Sequence, residues 1–532
     1  MPAEPFTGPA RARRGLRALR GRRDPAPLAG QRRRTTGGMG DLHTRKVLDL
    51  TIRLAEVMLS SGSGTADVVA TAQDVAQAYR LTDCVVDIFV TTVIVSALPT
   101  ADSPPVTIVR AVHNRSTDYT RLGELDRLVQ RITAGGVTVD EAHEAMDELT
   151  ERPHPYPRWL ATVGWAGFAL GIAMLLGGGW LTCILAAATS AVIDQVGRRL
   201  NRIGTPFFFQ NVAGALIATL VAVAAYLFAG QGPTALVATG IVMLLSGLTL
   251  VGAMQDAVTG YMLTSVARLS EAVLMTSGIV VGIVAGLQVA ESAGIAISLH
   301  VDATESFVAP TGVLDISLAV IGAALAGACL TVTSYAPLRA ILTAGVVAGL
   351  AELVLIALGN AGLSQVVASG AAAVGVGLVA TLISIRRQAP ALVTATAGIM
   401  PMLPGLAVFR AVFSFAVDGD FNNGLRQMLA AAAVGLALGS GVVLGEFLGS
   451  PLRYRAGRVG EILRKEGPPG LRRAVGRVVR LRPADDLPAP RAGQRAHSVA
   501  LEPVAPGEDE PDHVDVPASE PDEAAERPRD DA

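Results

Sequence analysis

From Trp159 to Leu448 the chain is a series of apolar runs, each about 20 residues long, separated by short polar turns. A helical run of that length crosses the hydrocarbon core of a bilayer. The runs fall at 159–177, 181–197, 207–229, 235–254 and 272–290, then at 316–334, 338–358, 364–385, 391–412 and 427–448. This predicts ten spanning helices in two sets of five. Upstream the pattern changes. Leu48, Ile52, Ala55 and Leu59 recur at helical spacing and predict a helix over 44–59. Ser60-Ser61-Gly62-Ser63-Gly64-Thr65 stops it and caps a second helix over 66–79. Residues 84–98 and 106–112, rich in Val, Ile and Thr, read as strands. Helices follow over 121–133 and 139–150, the second opened by the capping sequence Thr138-Val139-Asp140-Glu141.

The apolar half contains an internal duplication. Asp194 and Glu352 are acids inside apolar runs, 158 positions apart. The same offset pairs Gly164 with Gly322, Leu245-Ser246-Gly247-Leu248 with Leu403-Pro404-Gly405-Leu406, and Arg268 with Arg426. After one inserted residue, Gly282 and Gly286 fall on Gly441 and Gly445. Five crossings is an odd number, so the second copy enters the membrane from the opposite side and the repeat is inverted. That symmetry lets one scaffold rock between inward- and outward-open states around a midplane site.

The turns carry an orientation. With the N-terminus inside, the inner connections hold Arg198, Arg199, Arg202, Arg268, Arg339, Arg386 and Arg387, and the exit holds Arg453, Arg455 and Arg458. The outer connections 177–180, 229–234 and 359–363 are uncharged, and 291–315 is acidic without Arg or Lys. This is the positive-inside pattern, and it puts both termini in the cytoplasm. The organisation expected is a mainly α-helical polytopic membrane protein. It comprises an arginine-rich disordered tail (1–40), a small cytoplasmic α+β domain (41–155), a first five-helix repeat (156–290), an extracytoplasmic loop (291–315), a second five-helix repeat (316–450) and a basic, then acidic, disordered tail (451–532). Met39 offers an alternative start to Met1.

Composition agrees. The chain is 51% hydrophobic and only 17% charged, against about 25% charged in soluble domains; its mean hydropathy is +0.45. The net charge of −2 averages a basic start and an acidic end. Three scattered cysteines (Cys84, Cys183, Cys329) suggest neither disulfide nor zinc site. Only Lys46 and Lys465 are lysines, and neither lies in a phosphate-binding glycine loop. HExxH and GxSxG are absent. No cofactor or metal is expected, and the chain is not expected to be an enzyme. No folded reader accompanies the basic start, so nucleic acid is not an expected partner.

An acid at mid-bilayer is costly and marks function by default. Glu352, in Ala-Gly-Leu-Ala-Glu-Leu-Val-Leu, is the deeper and is the candidate to carry a proton; the alternative is a structural hydrogen bond between helices. Asp194 is the second coupling candidate, with snorkelling or pairing to Arg198 as its alternative. Pro401-Met402-Leu403-Pro404-Gly405 interrupts the ninth run, and Ser246-Gly247 is expected as a milder break at the matching place. A broken helix offers backbone groups to a polar substrate at the midplane, or it is a packing kink. Ser246, Gly247, Pro404 and Gly405 are therefore the candidate substrate seat. Arg410, Asp418, Asp420, Asn422 and Asn423 beyond one break, and Gln255, Asp256 and Thr259 beyond the other, either hold the charged ends of a zwitterion or are ordinary loop-end polar residues. Asn211, beside Gln210, carries the same ambiguity. Glycines at 278, 282 and 286, at 345 and 349, and at 435, 439, 441 and 445 form stripes for close helix packing.

Over about 44–450 the chain resembles the threonine/serine exporters. The resemblance rests on Leu54-Ala55-Glu56-Val57-Met58-Leu59-Ser60-Ser61-Gly62-Ser63-Gly64-Thr65, the strands after it, the ten-span body, and Pro401-x-x-Pro404-Gly405 followed by Asp418-Gly419-Asp420. It implies a cytoplasmic N-terminal domain and proton-driven export of small hydroxylated amino acids. In related two-component systems the two parts are separate chains, and some are linked to dicarboxylate export. The reading is a secondary transporter in the cell membrane whose partners are a small amino acid, protons and lipid, with self-association left open. Two alternatives stand beside it. One is a dicarboxylate exporter of the succinate type, which an arginine-lined site would favour. The other is a membrane-anchored hydrolase or sensor using the N-terminal domain, for which Ser61 or Ser63 with His43 is the only nucleophile–base candidate. The N-terminal domain either gates the inner mouth, senses substrate or joins protomers.

Overall fold

The computed structural model describes residues 37–466 except 82, 100–103, 113–117, 231–232, 296–309 and 388–389. The expectations for 1–36 and 467–532, and for most of the outer loop, lie outside the described residues. The first elements are α1 (Gly37–Ser60), α2 (Thr65–Ala78), β1 (Cys84–Phe89), β2 (Thr92–Ala97), β3 (Val106–Ala111), α3 (Tyr119–Thr133) and α4 (Val139–Glu151). The strands form one antiparallel sheet in the order β1-β2-β3, with Val86 opposite Val95 and Ile94 opposite Val109. Helix α1 is apolar on two sides because it is buried on two sides. Leu48, Ile52 and Ala55 pack with Val68 and Ala72 of α2 and with Val86, Val93 and Val95 of the sheet. Leu50 and Leu54 pack with Leu125, Leu128 and Ile132 of α3 and with Ala142 and Met146 of α4.

Two local expectations meet the structure differently. Thr138 and Glu141 form the capping box anticipated at the start of α4, with Thr138 N–H donating to Glu141 Oε2 at 2.8 Å. The stretch 84–98, in contrast, is a hairpin that turns at Val90 and Thr91. Val90 takes φ +58°, a left-handed conformation in which short turns ordinarily place Gly or Asn. The turn is held from outside, by the Val90 N–H donating to Thr264 Oγ1 at 3.3 Å. A sequence pattern has no means of announcing such a turn.

The apolar half comprises α5 (Arg158–Leu175), α6 (Trp180–Arg202), α7 (Phe207–Ala229), α8 (Pro233–Ile241), α9 (Gly247–Val258), α10 (Met262–Ser292), α11 (Val313–Thr333), α12 (Leu338–Asn360), α13 (Gln365–Arg387), α14 (Ala391–Ile399), α15 (Gly405–Phe413) and α16 (Phe421–Glu466). Among the described residues, eight of these helices are long and apolar enough to cross a membrane. Two more candidates are bent pairs, α8 with α9 at 50° and α14 with α15 at 46°. The molecule is a multi-pass helical membrane protein. Its outward faces are apolar: on α12, Leu338, Leu342, Val346, Leu350 and Val354 are exposed at four-residue spacing, while Ala344, Gly345, Ala348 and Glu352 are buried. Helix α10 begins ten residues before its apolar run, and its first turns carry Thr264, Ser265 and Arg268.

Glycine decides which helices touch. A Cβ built on Gly171 would lie 2.6 Å from the carbonyl oxygen of Gly322, one on Gly322 would lie 2.6 Å from that of Gly171, and one on Gly164 would lie 3.1 Å from that of Cys329. These contacts run in opposite directions along the two chains, so α5 and α11 are antiparallel. Between α7 and α10 the register ascends on both helices. Gly278 meets Phe208, Gly282 meets Val212 and Gly286 meets Thr219, so this pair is parallel. Helices α13 and α16 repeat the arrangement, Gly441 against Gly370 and Gly445 against Val374.

Candidate functional site

Both bent pairs break in the same way. Leu245 and Leu403 are extended, at φ/ψ −67°/134° and −62°/134°. Ser246 and Pro404 follow at −83°/27° and −79°/23°. The break at Ser246-Gly247 is therefore not the milder one, although it lacks proline. What substitutes for proline is a tertiary bond: Ser246 Oγ lies 3.2 Å from the Ala272 carbonyl and 3.2 Å from Thr276 Oγ1, both on α10, and it does not cap its own helix.

The two breaks meet. A Cβ on Gly247 would lie 3.0 Å from Leu403 Cβ and 3.4 Å from Gly405 N; one on Gly405 would lie 3.0 Å from Leu245 Cβ and 3.5 Å from Gly247 N. A Cβ on either side would crowd the other break, so glycine favours this approach. The half-helices α9 and α15 thus start at one point. Their helical hydrogen bonds begin at Leu250 (to Ser246 O, 3.0 Å) and Val408 (to Pro404 O, 3.0 Å). The amides ahead of them are the donor-rich, positive ends of two helices. Such an end suits a carboxylate. A hydroxyl lies beside the approach to the first break: Ser190 Oγ donates to the Trp165 carbonyl at 3.0 Å and lies 3.1 Å from Met243 Sδ in the turn before it.

The acids separate by environment. Asp194 is ion-paired to Arg198 at 2.9 Å, and Arg198 also donates to Thr162 Oγ1 at 2.7 Å. Glu352 is 5% exposed, and its Oε2 has no hydrogen-bond partner among the described residues. The position one turn beyond Glu352 is Ile356, where Asp194 has Arg198. Glu352 stands three residues past the centre of α12, or about 4.5 Å along its axis. Helix α12 packs against α14, the half-helix that leads into the second break.

Other candidates lie elsewhere. Asn211 Nδ2 donates to the Met275 carbonyl at 3.2 Å and ties α7 to α10. Gln255 packs where α9 crosses α16, its amide nitrogen 3.2 Å from a Cβ built on Gly439. Asp256 is nine residues beyond Gly247, about 13 Å along α9. It faces Arg268 Nη1 at 2.8 Å and the backbone N–H of Thr65 at 3.2 Å. Arg410 sits in the last turn of α15, about 7.5 Å beyond Gly405. Asp420 accepts from Asn423 N–H at 3.0 Å and so serves the start of α16. The partnerships of Ser190, Thr276 and Arg268 were not anticipated. Single hydroxyls and a loop-end arginine carry no signal until their neighbours are known. Ser61 Oγ donates to the Val57 carbonyl of its own helix at 2.8 Å. Among the described residues no group of three or more His, Cys, Asp or Glu could hold a metal ion.

Two crossing helix breaks, a buried unpaired acid and a lipid-facing exterior define a multi-pass membrane protein of the transporter kind. A family profile described as "Putative threonine/serine exporter" matches residues 49–290, and a second, "Threonine/Serine exporter, ThrE", matches 319–448. Over 494 residues the chain is 75% identical to the "Probable threonine/serine exporter" of Mycobacterium tuberculosis (strain ATCC 25618 / H37Rv), covering 92% of this chain and 93% of that one. Over 419 residues it is 36% identical to the "Threonine/serine exporter" of Corynebacterium glutamicum, covering 76% and 83%. The chain belongs to the threonine/serine exporter family. No solved structure matches it.

Proposed function

We propose that this protein exports threonine, serine or similar small polar amino acids across the cell membrane in exchange for protons. The observation that carries the reading is the meeting of the two breaks at Gly247 and Gly405 in a member of this family. The amino acid's carboxylate is held by the amides that open α9 and α15, and Glu352 carries the proton. Asp194 is neutralised by Arg198 and plays a supporting part.

The membrane region is an inverted pair of five-helix repeats. Under an offset of 158, the contact of Gly171 with Gly322 maps onto that of Cys329 with Gly164, and the contact of Gly247 with Leu403 maps onto that of Gly405 with Leu245. A set of contacts that returns to itself in this way is the mark of two-fold symmetry. Each bent pair is one crossing, giving ten. Helices α7 and α10 run parallel, which supports a single crossing by the chain between them. A re-entrant loop would have left them antiparallel. Residues 41–155 form a cytoplasmic α+β domain, and the arginines of the inner turns support that orientation.

The dicarboxylate reading depends on Arg410 and Arg426, and it has less support because Arg410 lies in the last turn of α15, about 7.5 Å beyond Gly405, and Arg426 is exposed. The hydrolase reading has less support, because Ser61, one of its two candidate serines, is engaged with its own helix. The test is counterflow of labelled threonine in proteoliposomes, for wild type and Glu352→Gln, with and without a pH gradient. Gradient-driven flux lost in the variant while exchange persists supports the proposal. A folded wild type that carries no threonine sinks the substrate assignment.

A further inference from the structure

The N-terminal elements stand on both repeats at once. One foot is on the second repeat, at the turn between α11 and α12. There Tyr119 N–H donates to the Ser334 carbonyl at 2.9 Å, and Tyr156 OH donates to the Val332 carbonyl at 2.8 Å. His154 stacks on Tyr335 with ring centroids 4.3 Å apart. Beneath these bonds Tyr119 and Leu122 share an apolar cluster with Ala336, Ala340 and Val393. This foot is broad and partly hydrophobic.

The other foot, on the first repeat, is narrower and more polar, with Tyr261 as an apolar contact. Asp256, near the inner end of α9, is 1% exposed and accepts the Thr65 N–H that opens α2. Arg268 of α10 balances its charge. The Val90 N–H reaches Thr264 Oγ1 close by, and Tyr261 packs against the core of the sheet. Asp256 therefore completes the capping of a helix in a different part of the molecule. The repeat itself supplies a control. At the offset of 158 the positions of Asp256, Thr264 and Arg268 are occupied by Ser414, Asn422 and Arg426, of which Asn422 and Arg426 are exposed. The acid is present only where the N-terminal elements dock, so docking accounts for it better than substrate binding does.

We propose that Thr65, Asp256 and Arg268 form the releasable latch of an inner gate. The N-terminal elements strap the two repeats together on the cytoplasmic side, and the inner path opens when the start of α2 leaves Asp256. The inference rests on the transport reading above. Rocking of one repeat against the other cannot part them on this side while both feet hold. The Asp256 foot is the one to yield, because the bonds that cross it, Thr65 N–H to Asp256 and Val90 N–H to Thr264, can be exchanged for water with little net change while Arg268 stays paired to Asp256, whereas the broad apolar foot cannot. Asp256 and Arg268 are positioning residues in this scheme and do not touch the substrate.

The experiment uses full-length protein with Cys84, Cys183 and Cys329 changed to alanine, and compares it with the same protein carrying V90C and T264C. A short cleavable bis-methanethiosulfonate bridge joins the new thiols, and threonine flux is measured before bridging, after it, and after reduction. The latch predicts that bridging abolishes flux and reduction restores it. Bridged protein, verified on a gel, that carries threonine at the unbridged rate overturns the latch. If wild type and the cysteine-free parent alike carry no threonine, the transport reading has failed instead. In that case, or if the unbridged pair is inactive, hydrogen exchange in the first turn of α2 decides. Faster exchange in Asp256→Ala, which removes the acceptor, than in wild type, with the rest of α2 unchanged, supports a releasable contact, and equal exchange overturns it.

Discussion

Glu352 should make the protein less stable than it need be. Its side chain is buried on the inward face of α12, and Oε2 has no partner among the described residues. An orphaned buried polar group costs about 1–3 kcal/mol, and insertion scales put a charged residue at mid-bilayer in a similar range, about 2.5–3.5 kcal/mol. Methionine has nearly the same length and helix propensity as glutamate, so Glu352→Met removes the polar group with little change in volume or backbone preference. The expected outcome is a gain of about 1–3 kcal/mol, seen as a higher unfolding temperature in detergent, together with loss of gradient-driven flux. Asp194→Asn is the matched control at the equivalent place. It breaks the pair with Arg198. Arg198 is partly exposed, so the expected effect is a loss of no more than about 1 kcal/mol. The reasoning fails if Glu352→Met is the less stable protein, since the carboxyl must then be satisfied by a bond that its surroundings do not reveal.

Further outcomes follow from packing and capping. Gly171→Ala should separate α5 from α11, since its Cβ meets backbone and no rotamer relieves it; overpacking of this kind costs about 1–3 kcal/mol. Gly375→Ala, with nothing within 4 Å, should be tolerated, and equal melting temperatures for the two variants would refute the argument. Thr138→Ala should cost about 1 kcal/mol, read as faster hydrogen exchange in the first turn of α4. The bond from Thr138 N–H, and secondarily the Thr138 side chain, hold the Glu141 carboxyl below the usual glutamate range. A depressed folded value means that the contribution is full above the ordinary range and fades as pH falls. The difference in α4 protection between wild type and Glu141→Ala should therefore narrow in acid; widening would contradict the sign.

What could be read from the chain is what depends on one segment at a time. Run length marked the spans, because the bilayer imposes one thickness on every helix. Proline at 401 and 404 and glycine at 405 marked one break, and the offset of 158 marked its partner, because duplicated segments keep their local backbone preferences. The capping box at Thr138 and Glu141 was legible for the same reason: all its atoms lie within one turn.

What could not be read depends on which segments meet. Ser246 breaks its helix as sharply as Pro404 because a hydroxyl and a carbonyl on α10 hold it open. The turn at Val90 is anchored by Thr264, which receives its N–H. Asp256 looked like a companion of the break and instead holds Thr65, 191 positions away in the chain. Asp194 and Glu352 occupy matching positions, yet one is paired and the other is not, because the next turn offers Arg198 in one repeat and Ile356 in the other. The sequence by itself marked the apolar runs, the matching positions 158 apart and the places where helices are weak. Only the tertiary structure decided that the two weak places coincide at Gly247 and Gly405. Sequence periodicity sets which face of a helix is small or polar, but the partner of that face is chosen by close packing among all the helices together.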